Sequence, residues 1–366
     1  MLARGTDAKS PHRTQPWSRG PPQTVLARLG AMPDTASSLP PHLLVAALGG
    51  TIASTADGSG GVAPALSGAE IAAAAGLDRI WPDLQTDFTQ VAQVSSANVT
   101  LEMLFDVVEL ARSTEAHGIV LTQGTDTLEE TAFALSVLND SGVPIAVTGA
   151  MRNPTLPGAD GPANVRAAAL TALSPQARHL PAALVFNDEV HDPRHVRKAH
   201  VSSTAAFTSG PVLGAIGWIS EDVVRLPHAP QQSLSGSPFA GRDRPESLAP
   251  VALAEVGLGE PAETFDRLGE AGFAGLVIAG VGGGHVPEHL VPAVTRLGAQ
   301  MPVVLASRPG AGASLTRTYG YVGGEIGLLE AGLIPAGVLD ARKARIALTL
   351  ALSHDLDPAE VFAHFA

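Results

Sequence analysis

The sequence contains no cysteine. This absence excludes disulfide bonds, catalysis by a thiolate, and zinc or iron–sulfur sites with cysteine ligands. No apolar run approaches the roughly 20 residues that a membrane-spanning helix needs, so we expect no membrane segment. Positive charge is also scarce, since 23 Lys and Arg residues stand against 35 Asp and Glu residues. The formal net charge of −12 argues against a nucleic-acid partner, which requires concentrated positive charge.

Glycine and proline, in contrast, are plentiful, with 39 and 29 copies among 366 residues. This balance predicts a loop-rich globular protein that is long enough for two domains. The first 40 residues scatter arginine among proline, serine and glycine without periodicity, so residues 1–40 are predicted to form a disordered extension. Their only candidate for a signal peptide, "TVLARLGAM", is interrupted by Arg28, which favours a cytoplasmic location.

From Leu43 onward, short apolar runs alternate with helix-like segments. The runs barely alternate in polarity, which is typical of parallel strands covered on both faces. They are "LLVAAL" (43–48), "GIVLT" (118–122), "PIAVTG" (144–149), "AALVFN" (182–187), "GLVIAG" (275–280) and "PVVLAS" (302–307). One predicted helix covers residues 129–140 and places Phe133, Val137 and Leu138 on one face. The segment "TLEE" (127–130), at its start, has capping-box spacing.

A segment without apolar periodicity divides the chain. Residues 228–248 are rich in Pro, Ser and Gly and are predicted to form a linker. The predicted fold is therefore α/β. It has a larger N-terminal domain (41–227), with a mostly parallel sheet flanked by helices, and a smaller α/β C-terminal domain (249–366).

Polar residues follow the strands of the larger domain, at the edge where such sheets bind ligands. Thr51 follows the first run in "GGT", Thr125 and Asp126 follow the second in "TQGTDT", and Ser96 stands in "QVSSANVT". A threonine hydroxyl is a weak nucleophile until a base takes its proton, and Lys198, desolvated beside a carboxylate, could supply that base.

Each of these segments also has a structural interpretation, and the residues alone leave it open. "GGT" can be a turn, "TQGTDT" a helix cap, and Lys198 part of a solvated cluster with Arg194 and Arg197.

Two further patterns do not predict sites. In "GVGGGH" (280–285) His285 occupies the last glycine position of a dinucleotide loop, and no acidic residue follows at the usual distance. His191, His195 and His200 lie close together in the sequence, but no clear helical frame or carboxylate partner supports them as a ligand set. We interpret them as polar residues near the site, and the sequence predicts no metal site.

Six segments, taken together and in this order, resemble the bacterial L-asparaginase family. They are "GGTIAS", "TQGTDTLEETAFAL", "GAMR", "ADGPANV", "DPRHVRKAH" and "ARKARIALTLAL" (341–352). The resemblance covers residues 41–366 and implies hydrolysis of L-asparagine to L-aspartate and ammonia without a cofactor. L-glutamine is a second candidate substrate. It also implies a two-domain α/β fold and a homotetramer built from close dimers.

The resemblance assigns roles by motif position. Thr51 is the nucleophile that forms an acyl-enzyme, while Thr125 and Lys198 are the second hydroxyl and its base. Asp126 holds the α-ammonium of the substrate, and Ser96 binds its α-carboxylate.

The chain departs from the family pattern at three places. The loop 53–70 lacks the tyrosine that the family carries near its nucleophile, and the only two tyrosines are Tyr319 and Tyr321. Ala97 replaces a substrate-binding glutamine, and 255–263 has no clear equivalent of the asparagine that a neighbouring subunit contributes.

Two other functions remain as alternatives. One is an amide-hydrolysing subunit of a tRNA-dependent amidotransferase, which the acidic charge and the absence of an evident tRNA-binding extension argue against. The other is a weakly active or non-catalytic amino-acid binding protein, which the hydroxyl–lysine set argues against.

Overall fold

The structure, a computed structural model, describes residues 40–49, 54–56, 62–64, 68–229 and 236–366. Within it, Pro41–Ala366 forms one compact unit. The strands are β1 His42–Ala47, β2 Ser54–Ala56, β3 Val62–Pro64, β4 Gln85–Gln90, β5 Gly118–Thr122, β6 Ile145–Thr148, β7 Ala182–Phe186, β8 Glu189–His191, β9 Arg197–Lys198, β10 Phe207–Thr208, β11 Gly217–Ser220, β12 Val223–Arg225, β13 Val251–Glu255, β14 Gly275–Gly280, β15 Val303–Ser307 and β16 Ile334–Pro335. The α-helices are α1 Gly68–Ala74, α2 Leu101–Ser113, α3 Leu128–Leu138, α4 Gly161–Ala172, α5 Gly210–Leu213, α6 Ala262–Glu270, α7 Val291–Gly298, α8 Glu325–Glu330, α9 Ala341–Ser353 and α10 Pro358–Ala363.

Two sheets carry the fold, as predicted. The larger has the order β12-β11-β8-β7-β6-β5-β1-β4, in which β4, β1, β5, β6 and β7 run parallel and the remaining strands antiparallel. The smaller, β13-β14-β15-β16, is entirely parallel. This confirms the α/β fold with a larger N-terminal and a smaller C-terminal domain, whereas the linker 228–248 and the domain bounds stay predictions.

All six predicted strands are present within one or two residues of their predicted bounds. Strand β4 (QTDFTQ) was not predicted, because it lies at the edge of the sheet and leaves side chains partly exposed. Its composition therefore lacks the apolar run that identifies a strand buried on both faces.

Helix α3 differs from the amphipathic helix that the sequence predicted. Every residue in it except Glu130 is buried, because the helix packs between the large sheet and helices α2 and α9. The capping-box interpretation of "TLEE" is wrong. Thr127 occupies the N-cap position but accepts no hydrogen bond from the helix; its hydroxyl donates to the Ser96 carbonyl at 2.7 Å.

One core joins the two sheets. Leu121 of β5, Phe133 of α3, Leu348 of α9 and Val277 of β14 are fully buried members of the same apolar cluster. Helix α9 thus fills the space between the two domains. Phe362 and Phe365, close to the C-terminus, belong to the same apolar cluster.

The strand order reverses around β1. From β1 the chain reaches β4 on one side and then crosses through α2 to β5 on the other side. A crevice opens at such a point beyond the carboxyl ends of the strands, and ligands bind there. The segments that follow β1, β4 and β5 therefore meet at one place.

Candidate active site

The exit of β1 requires a glycine. Gly49 has a φ of +110°, and a Cβ there would lie 2.4 Å from the Val94 carbonyl oxygen. The Val94 N–H donates to the Leu48 carbonyl at 3.1 Å, which holds the segment after β4 against the end of β1. Thr51, the predicted nucleophile, lies outside the described residues.

Ser96 and Asp126 are joined by two hydrogen bonds. The Ser96 hydroxyl donates to Asp126 Oδ2 at 3.1 Å and accepts the Asp126 backbone N–H at 3.2 Å. Gly124 makes this approach possible, since a Cβ at that position would lie 2.9 Å from Ser96 Oγ. The loop after β5 is therefore locked onto the segment after β4.

Lys198 brings the remaining predicted residues together. Its Nζ donates to Thr125 Oγ1 at 3.0 Å and to Asp126 Oδ1 at 2.8 Å. Thr125 is buried, the Lys198 side chain is 16 % exposed, and the Asp126 side chain is 69 % exposed. The hydrogen bond from Lys198 is the main cause that lowers the pKa of Asp126, and the Ser96 hydroxyl adds to it against a smaller effect of burial.

A buried carboxylate holds the backbone of Lys198. The Lys198 N–H donates to Oε2 of Glu129, in the first turn of α3. Burial raises the pKa of Glu129, and the charge of Arg342, 2.8 Å from its Oε1, opposes that rise. Strand β9 is thereby tied to helix α3.

A second ionic contact supports the same strand from the C-terminal domain. Asp340 caps α9 by accepting the N–H groups of Arg342 and Lys343. Lys343, almost fully buried, pairs with Asp340 at 2.6 Å and donates to the Val196 carbonyl at 2.7 Å. Although burial raises the pKa of Asp340, the charge and hydrogen bonds of Lys343 outweigh it and leave the pKa below its ordinary value.

Comparison with known proteins identifies the fold and its motifs. The family model "Asparaginase, N-terminal" matches residues 42–232, and "Glutaminase/Asparaginase C-terminal domain" matches residues 250–365. The chain belongs to the asparaginase family.

Its relatives are named either as L-asparaginases or as glutaminase-asparaginases. A probable L-asparaginase from Deinococcus radiodurans is 37% identical over 327 residues, which cover 86% of this chain and 93% of the relative. A glutaminase-asparaginase from Pseudomonas aeruginosa is 31% identical and covers 87% and 88%. A probable periplasmic L-asparaginase from Haemophilus influenzae is 28% identical and covers 93% and 97%.

Side chains of the motif "ADGPANV" hold neighbouring loops, including the motif "GAMR", through hydrogen bonds. Asp160, in "ADGPANV", accepts the backbone N–H groups of Met151 and Arg152 in "GAMR". Asn164 donates to the Gly149 carbonyl at 2.9 Å and accepts the Asn187 N–H at 3.0 Å. These side chains join the loops at the carboxyl ends of β6 and β7, so they support the edge on which the site lies.

The three histidines near Lys198 also have contacts outside the site. His191 Nδ1 lies 3.0 Å from Ser209 Oγ, and its Nε2 lies 3.3 Å from Glu189 Oε2, so His191 does have a carboxylate partner, contrary to the expectation from the sequence. His200 Nδ1 accepts the N–H groups of Ser202 and Ser203. Burial lowers the pKa of His195. In the ranges that the structure describes, no group of three His, Asp or Glu side chains could hold a metal ion.

Ala97 borders open space. With Thr127, Glu130 and Arg345 it lines a cavity of about 590 Å³.

Sequence reasoning missed Glu129, Asp340 and Lys343. Asp340 directly before a helical pattern is a recognisable N-cap signal. Nothing local to the sequence indicates that Lys343 reaches Val196, because the two are 147 positions apart. In the described part of the chain, no helix is both long and apolar enough to cross a membrane.

Proposed function

We propose that this protein hydrolyses the side-chain amide of L-asparagine to L-aspartate and ammonia. Membership in the asparaginase family supports this activity. The observation that carries the proposal is the contact of Lys198 Nζ with both Thr125 Oγ1 and Asp126 Oδ1, because it joins a hydroxyl, its base and a carboxylate at one place.

The reaction proceeds in two steps. Thr51 attacks the amide carbon and gives up its hydroxyl proton, a C–O ester bond forms, the C–N bond breaks, and the nitrogen takes up that proton and leaves as ammonia. Water then attacks the ester, and the Thr125–Lys198 pair takes a proton from that water and returns it to the Thr51 oxygen as the ester bond breaks and aspartate is released. Asp126 holds the substrate's α-ammonium and Ser96 its α-carboxylate.

Three finer statements belong to the same proposal. We infer that L-glutamine is a second substrate, that four chains assemble into a homotetramer, and that the protein is cytoplasmic. The interruption of the N-terminal apolar run by Arg28 supports the cytoplasmic location. The Haemophilus relative is named as periplasmic, so fractionation of the native cells is the measurement that decides it.

Ammonia release from asparagine and from glutamine tests the activity directly. Thr51→Val keeps the volume of the side chain and removes only the hydroxyl, so we expect it to abolish hydrolysis while circular dichroism stays unchanged. Thr55→Val, a change of the same kind four residues later, serves as a control. A Thr51→Val variant that keeps most of its activity would contradict the acyl-enzyme. If the unmodified protein released ammonia from neither asparagine nor glutamine, the proposed activity would be contradicted.

A further inference from the structure

Strand β9, which carries Lys198, is too short to hold itself in place. It has two residues, and in the described part of the chain its only partner strand is β10, which is equally short. Successive N–H groups of a strand point to opposite sides. The Ala199 N–H therefore donates to the Ala206 carbonyl beside β10 at 2.7 Å, whereas the Lys198 N–H points away from β10 and donates to Glu129. The position of β9 thus depends on contacts from other elements.

One short segment, residues 125–129, contacts Lys198 at both ends. Thr125 and Asp126 accept hydrogen bonds from Nζ at 3.0 and 2.8 Å, and Glu129 accepts one from the backbone N–H. A lysine side chain has a flexible four-carbon stem and samples many rotamers when it is free. Because both ends are fixed to the same segment, Nζ has few positions open to it relative to the Thr125 hydroxyl.

The carboxylate of Glu129 is itself held firmly. It is buried in the first turn of α3, and each of its oxygens has a partner. Oε2 accepts the Lys198 N–H, and Oε1 lies 2.8 Å from Arg342 Nη1 on α9. Burial raises the pKa of Glu129, while the charges of Arg342 and Lys343 oppose that rise and the charge of Asp340 adds to it. An ionised carboxylate is the stronger acceptor, so Arg342 favours the form that holds Lys198 better.

A second glutamate–arginine pair joins the same two helices without reaching β9. Glu130 Oε2 lies 4.0 Å from Arg345 Nη2, one turn further along α9. The side chains of Arg345 and Arg342 have similar exposure, 45 % and 41 %. Among the residues that the structure describes, no hydrogen bond joins Glu130 to β9. Both pairs connect α3 to α9, and the contact with Lys198 distinguishes Glu129 from its neighbour.

We propose that Glu129 is a positioning residue for amide hydrolysis: by holding the Lys198 N–H, it sets where Nζ meets the Thr125 hydroxyl. This inference rests on the proposed function. Glu129 acts through Lys198, and Arg342 supports it from the smaller domain. The geometry of the catalytic lysine therefore depends on an ion pair between the two domains of one chain.

This role predicts different effects on kcat and on KM. Ser96 and Asp126, the proposed substrate-binding pair, are joined by two hydrogen bonds in which Glu129 has no part. Loss of the Glu129 carboxylate should therefore disturb proton transfer between Lys198 and Thr125 and leave the two binding groups in place. A general disturbance of the site would affect both kinetic constants.

The first test compares Glu129→Gln with Glu130→Gln, its neighbour on the same turn. We expect Glu129→Gln to lower kcat for asparagine by about tenfold, because a small displacement of a catalytic group has an effect of this order, and to change KM by less than about threefold. Glu130→Gln should keep both constants within about twofold of the wild type. Circular dichroism and oligomer mass establish that each variant is folded.

The possible outcomes separate this inference from the proposed function. An active wild type with an equally active Glu129→Gln variant would overturn the positioning role and leave the proposed function intact. A folded wild type without activity would contradict the proposed function, and the inference would fall with it.

Two arginine variants test the same role from α9, where the side chains are partly exposed and substitution is better tolerated than in the core. Arg342→Gln should lower kcat by about threefold or more, since Glu129 loses the charge that favours its ionised form. Arg345→Gln should leave kcat unchanged. These variants decide the question even if Glu129→Gln does not fold. Equal losses in both would mean that contact between α3 and α9, and not the contact with Lys198, sets the rate.

The last test asks whether Glu129 acts through Lys198. In Lys198→Met the group that Glu129 positions is absent, so adding Glu129→Gln should lower the residual kcat by less than about twofold, instead of by a further tenfold or so. The residual rate is measured at about a hundred times the wild-type enzyme concentration, to offset the loss expected from Lys198→Met. A full further loss would show that Glu129 affects the site by another route and would overturn the proposal.

Discussion

Lys198 contributes both its backbone and its side chain to the candidate active site. The N–H is held by Glu129, and the ammonium group contacts Thr125 and Asp126. The carboxylate it contacts is largely exposed, whereas the threonine is buried. Lys198 thus connects an exposed group, Asp126, with a buried one, Thr125.

We expect Lys198→Met to lower kcat for asparagine by at least about a hundredfold, because it removes the base from Thr125. Arg197→Met is the matched control, since the Arg197 guanidinium donates to the Pro309 carbonyl and not to the site. Steady-state ammonia release compares the two variants. Comparable losses in both would mean that strand β9 is merely disturbed.

Ser96→Ala should change the pH at which asparagine binds. The hydrogen bonds of Lys198 and Ser96 lower the pKa of Asp126, so this carboxylate stays ionised at pH values where an ordinary Asp is protonated. Without the Ser96 hydroxyl the pKa rises, and 1/KM should begin to fall at a higher pH as the solution is acidified. Ser95→Ala, whose hydroxyl accepts from Asn98, should leave the curve unmoved. An identical acid limb in both variants would remove Ser96 from this role.

The sequence predicted which residues would gather, but not how they are supported. Ser96, Thr125, Asp126 and Lys198 could be selected because each follows a strand or lies in a recognisable segment, and parallel strands end at a common edge. The hydroxyl of Thr127 was assigned to the wrong partner, since helix capping and the hydrogen bond to Ser96 require the same residue type at the same position. Choosing between them requires the position of a segment 31 residues away.

At the scale of elements, helix α9 has two functions. Its apolar face completes the core that the two sheets share, and its first turn holds β9 through Lys343. Lys343 is buried between Asp340 and the Val196 carbonyl, two residues before Lys198. Core packing and the position of β9 therefore depend on one helix.

Lys343→Met should reduce the free energy of unfolding by about 3 kcal/mol at neutral pH, because it leaves the Asp340 charge buried without a partner. Asp340 has a lowered pKa in the folded protein, so the stability that the pair contributes is present above the ordinary pKa of aspartate and is lost as the pH falls through the lower value. Urea unfolding at pH 7 and at acid pH should thus show a smaller difference between variant and wild type under acid conditions.

The double variant Asp340→Asn with Lys343→Met is the control for that experiment. It removes the unpaired charge and should regain part of the stability. It should still have a reduced kcat, because the Val196 carbonyl has lost its donor. A double variant no more stable than Lys343→Met would show that the lysine acts through packing alone.

For the whole molecule, the proposed tetramer has a direct consequence in solution. Light scattering should give a mass of about four 37.3 kDa chains. If sites are completed by partner chains, specific activity should fall when the protein is diluted below the concentration at which the oligomer dissociates, and it should return on concentration. A fully active monomer would contradict both the tetramer and sites completed by partner chains.

The hydrogen bond between Lys343 and the Val196 carbonyl spans 147 positions of the chain. During synthesis, the ribosome therefore completes every strand of the larger sheet well before it adds Lys343, the residue that holds the segment leading into β9. Phe365, whose ring centroid lies 6.0 Å from that of Phe133, arrives later still. We therefore expect a nascent chain that already contains all the proposed substrate-binding residues to lack these two contacts until α9 and the residues after α10 have been made. Loss of those two helices should abolish asparagine hydrolysis without removing any residue of the proposed active site.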